Sequence, residues 1–267
     1  MVVVALVTGL AAPTAAQTDL DDLMARVLAR RDENWKKLQQ YVLEERETFQ
    51  LLGPGRVPVY GFRREYSWFL RDEAFIRSPV RADGVPIGEQ QRLRAEAEWV
   101  ARLKESKEPR FVSYAYFLRF TFDPGQYALA GRERLDDRDV LKIDYYPTRL
   151  FTEGRTRPNR RLRDKDQEIG DRMNKVSLVT LWVDPVEHQI LQYVFDNADM
   201  DFLPGYSVAR VDGLEASMRM GEMFPGVWLP RTIRIRSRLM LATGHVEAAY
   251  DVDYYDYKLA AVATRVR

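Results

Sequence analysis

The residue types that most often do catalytic or metal chemistry are scarce in this chain. Its 267 residues include two histidines, His188 and His245, and no cysteine. The lack of cysteine excludes disulfides, thiolate metal ligands and cysteine nucleophiles. Neither histidine has a second histidine at metal-ligand spacing, and no nucleophile elbow, zinc-protease motif, Walker loop or dinucleotide-binding loop occurs. We therefore predict no catalytic residue, no metal site and no cofactor.

The densest carboxylate cluster is "DVDYYDY", near the end of the chain. Asp251 and Asp253 share one side of a strand, which is the arrangement that an acid/base pair or a cation site needs. The alternative places both on the solvent face of an edge strand, with Tyr250, Val252 and Tyr254 facing inward. We favour the solvent face. A hydrolase of the cell envelope that uses both aspartates is therefore the last of three functional hypotheses.

Aromatic side chains are more prominent than catalytic groups. In "YGFRREYSWFLR", residues 60–71, the side chains of Phe62, Tyr66 and Trp68 share one parity, and Arg64 lies among them. A cation on an apolar face is costly unless it is paired or reaches water. Arg64 is therefore either an anchor for the headgroup or carbonyl of a ligand, or a side chain that extends to solvent at the end of the sheet.

A strict period of two runs through "MFPGVWLPRTIRIRSRL", residues 223–239. Such alternation predicts a strand with one buried and one solvated face, and Pro230 confines the strand ladder to the residues after it. The arginines at 234, 236 and 238 form the solvated face. The apolar face consists of Ile233, Ile235, Leu239 and Leu241.

The segment "VSLVTLWVD", residues 176–184, is apolar in both phases, with Leu178 and Trp182 on one side. This pattern predicts a strand in a sheet that is covered on both faces. One cover is a packed core, and the other is a second layer or a cavity for an apolar ligand. The candidate cavity-lining residues are Phe62, Arg64, Tyr66, Trp68, Leu178, Trp182, Ile233, Ile235 and Leu239.

These side chains require a sheet to position them. Helical spacing of apolar residues predicts amphipathic helices over 18–39 and 88–108. Turn signals every 8 to 15 residues predict a meandering antiparallel sheet, because the alternation of strands and helices typical of a parallel sheet is missing. The predicted strands are 41–52, 60–71, 74–81, 126–134, 139–146, 176–184, 189–196, 206–213, 215–222, 228–241 and 246–257. The segment 108–120 is ambiguous, and the charged stretch 152–175 is predicted to be an exposed loop.

The N-terminus and the charge indicate where the protein acts. "MVVVALVTGLAAPTAAQ" has the apolar run and small residues of a secretory signal, so we expect residues 1–16 to be removed and residues 17–267 to form one domain. The signal lacks its basic region, and we expect the true start to lie upstream. A net charge of +1 gives no general attraction to nucleic acid, and no other segment is long and apolar enough to span a bilayer.

Three segments together resemble a known family. They are "LWVDPVEHQILQYVF", "FPGVWLPRTIRIRSRL" and "YDVDYYDYK", and they are similar to the outer-membrane lipoprotein-sorting family and its periplasmic relatives, the LolA/LolB-like superfamily. "FDPGQYALAGRERLDDRDVLKIDYYP" is similar to a strand pair of that family. "DGVPIGEQQRLRAEAE" resembles the linker and helix of its long envelope members. The matching motifs mark turns and strand starts rather than a catalytic group.

The resemblance implies a mainly β (α+β) fold. Its core is a strongly curved antiparallel sheet that forms an incomplete barrel, and the helices cover an apolar cavity for acyl chains. Without cysteine the chain departs from the lipoprotein-receptor pattern, which favours a periplasmic carrier. The helix at 88–108 and the loop at 152–175 depart from the short carriers, which leaves the cargo open.

Two functional hypotheses rank above the hydrolase hypothesis. The first is a non-enzymatic exported protein that binds a lipid or lipoprotein acyl chain in a half-barrel cavity, with a role in outer-membrane lipoprotein sorting. The second is a periplasmic sensor or scaffold domain of the same fold, which binds an envelope protein partner through an exposed face of the sheet.

Overall fold

The protein is built from two helices and eleven strands within the residues that the structure describes. The structure is a computed structural model, and it describes residues 15–38, 40–71, 74–105, 122–148, 168, 171–172, 175–198, 209–241 and 244–260. The helices are α1 (Ala15–Leu38) and α2 (Glu89–Glu105), and a short 3₁₀ turn covers Pro54–Arg56. The strands are β1 (Tyr41–Leu52), β2 (Pro58–Arg71), β3 (Ala74–Ala82), β4 (Val85–Pro86), β5 (Tyr127–Leu135), β6 (Arg138–Tyr145), β7 (Ser177–Asp184), β8 (Gln189–Ala198), β9 (Ala209–Phe224), β10 (Val227–Leu241) and β11 (Gly244–Leu259).

Most predicted strands are confirmed to within two residues at each end. Two predictions are wrong. The strands expected at 206–213 and 215–222 are the single strand β9, and the ladder of β10 includes Pro230, which pairs with Met220. Pro230 is tolerated there because it lies at a register irregularity of the ladder. Asp212-Gly213 has the sequence of a turn, but here it lies at a register irregularity opposite Arg238 and Leu239, so the chain bulges and continues. The ambiguous segment 108–120, the predicted signal segment apart from its last two residues, and most of the stretch 152–175 lie outside the described residues.

All strands form one antiparallel sheet with the order β4-β3-β2-β1-β11-β10-β9-β8-β7-β6-β5. The sheet is curved and does not close into a barrel, and it carries an N-terminal helix and an inserted helix. The prediction of a mainly β fold with an incomplete barrel is therefore confirmed. The aspartates of β11 do not lie on an edge strand, because β11 pairs with both β1 and β10.

One face of the sheet packs against α1, and we call it the helix-covered face. Met24 and Val27 of α1 are 1% and 0% exposed and belong to the same buried cluster as Leu181 and Ile233. The inward residues of α1 recur at helical spacing, which is why this amphipathic segment forms a helix on the sheet. The apolar core thus lies beneath α1 across strands β5 to β10, and it continues to β11, β1 and β2 through Val252, Tyr254, Leu43 and Trp68.

The second helix, α2, packs against β3 at the other end of the sheet. Its Glu96 is fully buried and accepts hydrogen bonds from the Ser78 hydroxyl (2.6 Å) and the Arg71 guanidinium (2.7 Å). The indole of Trp99 donates to the backbone carbonyl of Phe75 at 3.0 Å. These contacts fix α2 beside β3 through polar groups as well as through apolar packing.

The opposite face of the sheet is polar. One row of paired residues crosses nine strands on that face: Lys142, Trp182, Gln192, Arg219, Thr232, Asp253, Arg46, Glu65 and Arg81. Asp253 forms an ion pair with Arg234, and Asp251 accepts a 2.6 Å hydrogen bond from Arg236. The arginines of β10 thus lie on the solvated side and pair with the two aspartates.

Candidate functional site

The helix-covered face carries a row of apolar residues that extends beyond the core. In register from β5 to β2 the row consists of Tyr127, Tyr145, Val179, Phe195, Ala216, Ile235, Tyr250, Phe49 and Phe62. The members from Tyr127 to Ala216 are buried, whereas those from Ile235 to Phe62 are partly exposed. The row therefore changes from packed core to accessible surface at β10.

The accessible end of this row, together with Tyr60 of β2, forms a mainly aromatic surface. We call it the aromatic strip and define it as Phe49, Tyr60, Phe62, Ile235 and Tyr250. The rings of Phe49 and Phe62 stack with centroids 5.5 Å apart. Tyr60 packs edge-on to Phe62 at 6.3 Å, and 59% of its surface is exposed. Large apolar side chains that remain accessible in contact with one another indicate a binding surface rather than a core.

A buried group of charges lies beside the aromatic strip, and we call Glu45, Glu47 and Arg77 the ionised cluster. Glu45 and Glu47 are 2% and 7% exposed, and both accept hydrogen bonds from Arg77, at 3.1 Å for Oε1 of Glu45 and 2.9 Å for Oε2 of Glu47. Burial alone would lower the pKa of Arg77, but the two carboxylates and Tyr66 raise it well above its ordinary value. Arg77 is therefore a permanent cation that is shared by two carboxylates.

Aromatic side chains from β2 and β11 enclose the ionised cluster. The indole of Trp68 donates to Oε2 of Glu45 at 2.6 Å, and the Arg77 guanidinium lies 3.5 Å from the centroid of the Tyr66 ring. Burial raises the pKa of Tyr66 and of Tyr250, and the neighbouring Glu47 carboxylate raises both further. Both phenols are thus neutral hydrogen-bonding groups at the edge of the strip.

A cleft of about 270 Å³ opens between α2 and strands β2 and β3. Its lining residues are Arg64, Tyr66, Pro79, Arg81, Ala82, Ile87, Gln91 and Ala95. Arg64 is exposed, and its guanidinium carbon lies 4.2 Å from the centroid of the Phe62 ring. The cleft therefore joins the aromatic strip at Arg64.

The sequence-predicted lining residues divide into three groups. Phe62, Arg64, Tyr66 and Trp68 lie together on the helix-covered face of β2, where Phe62 and Arg64 pair with Phe49 and Glu47 of β1. On β10, Ile233 is completely buried in the core, while Ile235 and Leu239 are partly exposed on the same face.

Leu178 and Trp182 form the third group and lie on the opposite face of the sheet. Trp182 pairs with Lys142 and Gln192, and its indole donates to Glu133 at 2.9 Å. Because β7 is apolar in both phases, its sequence gives no indication of which side faces α1. Contact of any of these residues with a ligand stays a prediction.

Sequence reasoning did not identify Glu45, Glu47, Phe49, Arg77 or Tyr250 as site residues. A signal for the first three was present in "YVLEERETFQLL", since Glu45 and Glu47 share the parity of Leu43 and Phe49. Charged residues on the apolar parity of a strand indicate a buried polar network. Their partner Arg77 lies 30 or more positions away in the sequence, and local periodicity does not reveal that pairing.

The histidines and carboxylates form no metal site in the part of the chain that the structure describes. His188 accepts a hydrogen bond from Arg26 of α1 at 3.2 Å. Neither described helix has the length and apolar character that crossing a membrane requires.

Comparison with known proteins gives weak likenesses of fold. No family model and no curated protein matches the sequence. A DUF1329 family protein from Desulfovibrio piger is 13% identical with a TM-score of 0.36, and the match covers 95% of this chain and 96% of that one. Lipovitellin, from a structure of its lipid–protein interactions, is 8% identical with a TM-score of 0.32, over 85% of this chain and 26% of that one.

A third likeness is to MucB in complex with MucA(peri), at 11% identity and a TM-score of 0.21, over 88% of this chain and 93% of that one. TM-scores and identities this low support no inference about family or function. Membership of the lipoprotein-sorting family therefore stays a prediction.

Proposed function

We propose that this is a non-enzymatic, exported periplasmic protein that binds a lipid or lipoprotein acyl chain on the helix-covered face of its incomplete barrel. A role in outer-membrane lipoprotein sorting follows from the sequence resemblance. The observation that supports the proposal best is the aromatic strip, where the apolar row that forms the core continues beyond α1 as accessible surface.

An acyl chain suits this surface because the strip is apolar, continuous and not enclosed. Full burial of a methylene group contributes about 0.8 kcal/mol, so six methylenes covered on one side by the strip contribute roughly half of the full value, about 2–3 kcal/mol. The cleft of about 270 Å³ lies just below the range of about 300–1,000 Å³ for small-molecule pockets. It therefore accommodates a headgroup rather than a whole lipid, and we place the chain outside it on the strip.

The absence of an enzymatic role is supported by the state of the candidate aspartates. Asp251 and Asp253 are engaged by Arg236 and Arg234 on the polar face, away from the aromatic strip. An acid/base pair needs at least one group that is free to exchange a proton with a substrate. Export is supported by the apolar N-terminal segment.

Native mass spectrometry of the protein purified from its own periplasm tests this function. We expect copurified lipid or acylated peptide on the wild-type protein and clearly less on a Phe62→Ala variant. Trp182→Ala is the matched control, since it truncates a partly buried aromatic residue on the opposite face. Wild-type protein that carries no lipid and takes up none from added detergent-free lipid would contradict the proposal. A copurified protein in place of lipid would favour the sensor or scaffold function.

A further inference from the structure

Arg64 differs from its neighbour Arg77 in having no carboxylate partner among the described residues. It lies on the helix-covered face, in register with Glu47, yet its guanidinium stacks on Phe62. In the described part of the chain it forms no ion pair with a carboxylate, whereas Arg77 on the same face binds two. Arg64 therefore has hydrogen-bond donors that face the cleft and have no anionic partner.

The other charged groups around the cleft are paired with one another, which bears on whether Arg64 can bind a ligand. The ionised cluster has one more negative than positive charge, which by itself would attract Arg64. On the adjacent position of β2, however, the Glu65 carboxylate is shared by Arg63 at 2.6 Å, Arg81 at 3.6 Å and Arg46 at 3.8 Å. Arg81, the other arginine that lines the cleft, is thus engaged by Glu65, and among the described residues Arg64 is the cleft arginine without a carboxylate partner.

The neighbours of Arg64 suit one kind of ligand. On one side the Phe62 ring continues into the aromatic strip, and on the other the Tyr66 hydroxyl and Gln91 line the cleft. A guanidinium presents a planar set of N–H donors that matches carboxylate and phosphate oxygens, and a phenol hydroxyl adds a further hydrogen-bonding group. A charged group in the cleft and a chain on the strip would thus meet at Arg64.

We propose that the ligand is an anionic amphiphile, whose carboxylate or phosphate headgroup binds Arg64 in the cleft between α2 and strands β2 and β3 while its alkyl chain lies on the aromatic strip. This inference rests on the proposed function, which supplies the chain. It adds a headgroup class and a residue that selects it.

Displacement of Nile red, an uncharged dye, by ligands with the same chain tests the inference. Dodecyl phosphate, dodecanol and dodecyltrimethylammonium are titrated into the dye-loaded protein below their micelle concentrations. We expect dodecyl phosphate to bind at least tenfold more tightly than dodecanol, and the cationic amphiphile to bind no better than dodecanol. In Arg64→Met the advantage of dodecyl phosphate should fall to less than twofold, with dodecanol unchanged.

Two variants control for indirect effects. Arg64→Lys keeps the charge without the planar donor set, so it should retain part of the preference. Arg132→Met removes an exposed arginine of β5, which lies at the other edge of the sheet, and should leave all three affinities unchanged.

The outcomes separate this inference from the proposed function. Equal affinities of the wild-type protein for dodecyl phosphate and dodecanol would overturn the headgroup assignment and leave acyl-chain binding intact. If no alkyl compound binds, the proposed function itself is wrong. Inorganic phosphate, titrated alone by calorimetry, should give no binding that depends on Arg64. If it binds as tightly as dodecyl phosphate, the site is one for free phosphate and the lipid assignment is overturned.

Discussion

The helix-covered face has two halves, one beneath α1 and one beyond it. The same rows of the sheet carry different residue types in the two halves. Across β6 to β10 one row reads Ile143, Leu181, Tyr193, Met218 and Ile233, all at most 1% exposed beneath α1. Across β11, β1 and β2 it continues as Val252, Glu47 and Arg64. One curved sheet thus supports an apolar core beneath α1 and, beyond it, a half in which buried charges lie beside partly exposed aromatic side chains.

The ion pairs of the charged half add little net stability, and this distinguishes that half from ordinary core. Two carboxylates and a guanidinium removed from water gain from each other about what they lose in hydration. Apolar residues of similar size would serve stability as well. Stability alone therefore does not account for the ionised cluster.

Removal of the shared cation should have the largest effect on stability. Arg77→Met leaves Glu45 and Glu47 buried without their counter-ion, so we expect a loss of about 3–5 kcal/mol in the free energy of unfolding. Urea denaturation measures this loss. The control is Arg132→Met, where we expect a change within about 0.5 kcal/mol. A loss below about 1 kcal/mol for Arg77→Met would mean that the cluster is hydrated rather than buried.

Two isoleucines on β10 test where the core ends. Ile233→Ala should cost about 2–5 kcal/mol, because Ile233 is fully buried. Ile235→Ala removes the same atoms from a partly exposed position and should cost no more than about 2 kcal/mol. Equal losses in urea denaturation would show that the core covers both positions of β10 alike, which contradicts the assignment of Ile235 to the accessible strip.

Acid should weaken the α2 contact by a smaller amount. Burial alone would raise the pKa of Glu96, but hydrogen bonds from Ser78 and Arg71 and the charges of Arg71 and Arg92 lower it below its ordinary value of 4.5. A lowered pKa contributes stability above the ordinary value and loses it as the pH falls through the folded-state pKa. The wild-type urea midpoint should therefore fall as the pH drops below about 4.5.

Glu96→Gln separates this contribution from general acid effects. The variant should be less stable than the wild-type protein at pH 7, and the difference should shrink as the pH falls below about 4.5. A difference in urea midpoint that stays constant across this range would show that Glu96 does not hold α2 through its charge.

The strands could be predicted from sequence because a period of two is local information. β1, β3 and β10 have nearly the predicted bounds for this reason. The break expected in β9 was wrong because Asp212-Gly213 has the same local sequence in a turn and in a bulge, and the long pairing with β10 decides between them.

The site was less predictable than the fold. Phe62, Arg64, Tyr66 and Trp68 were found on one face because they share one strand. The position of Trp182 on the opposite face depends on where α1 packs, and the ionised cluster depends on a pairing between β1 and β3 across β2. Such contacts between distant segments are set by topology, which a single sequence pattern does not contain.

The most direct test of the account is to locate a bound acyl chain by photo-crosslinking. A fatty acid with a diazirine on its chain is bound to the protein, irradiated, and the labelled peptides are identified by mass spectrometry. We predict labels on β1, β2, β10 and β11 at the aromatic strip, and none at Leu178 or Trp182. Labels concentrated on the polar face, or spread without preference over both faces, would contradict acyl-chain binding on the uncovered half of the helix-covered face.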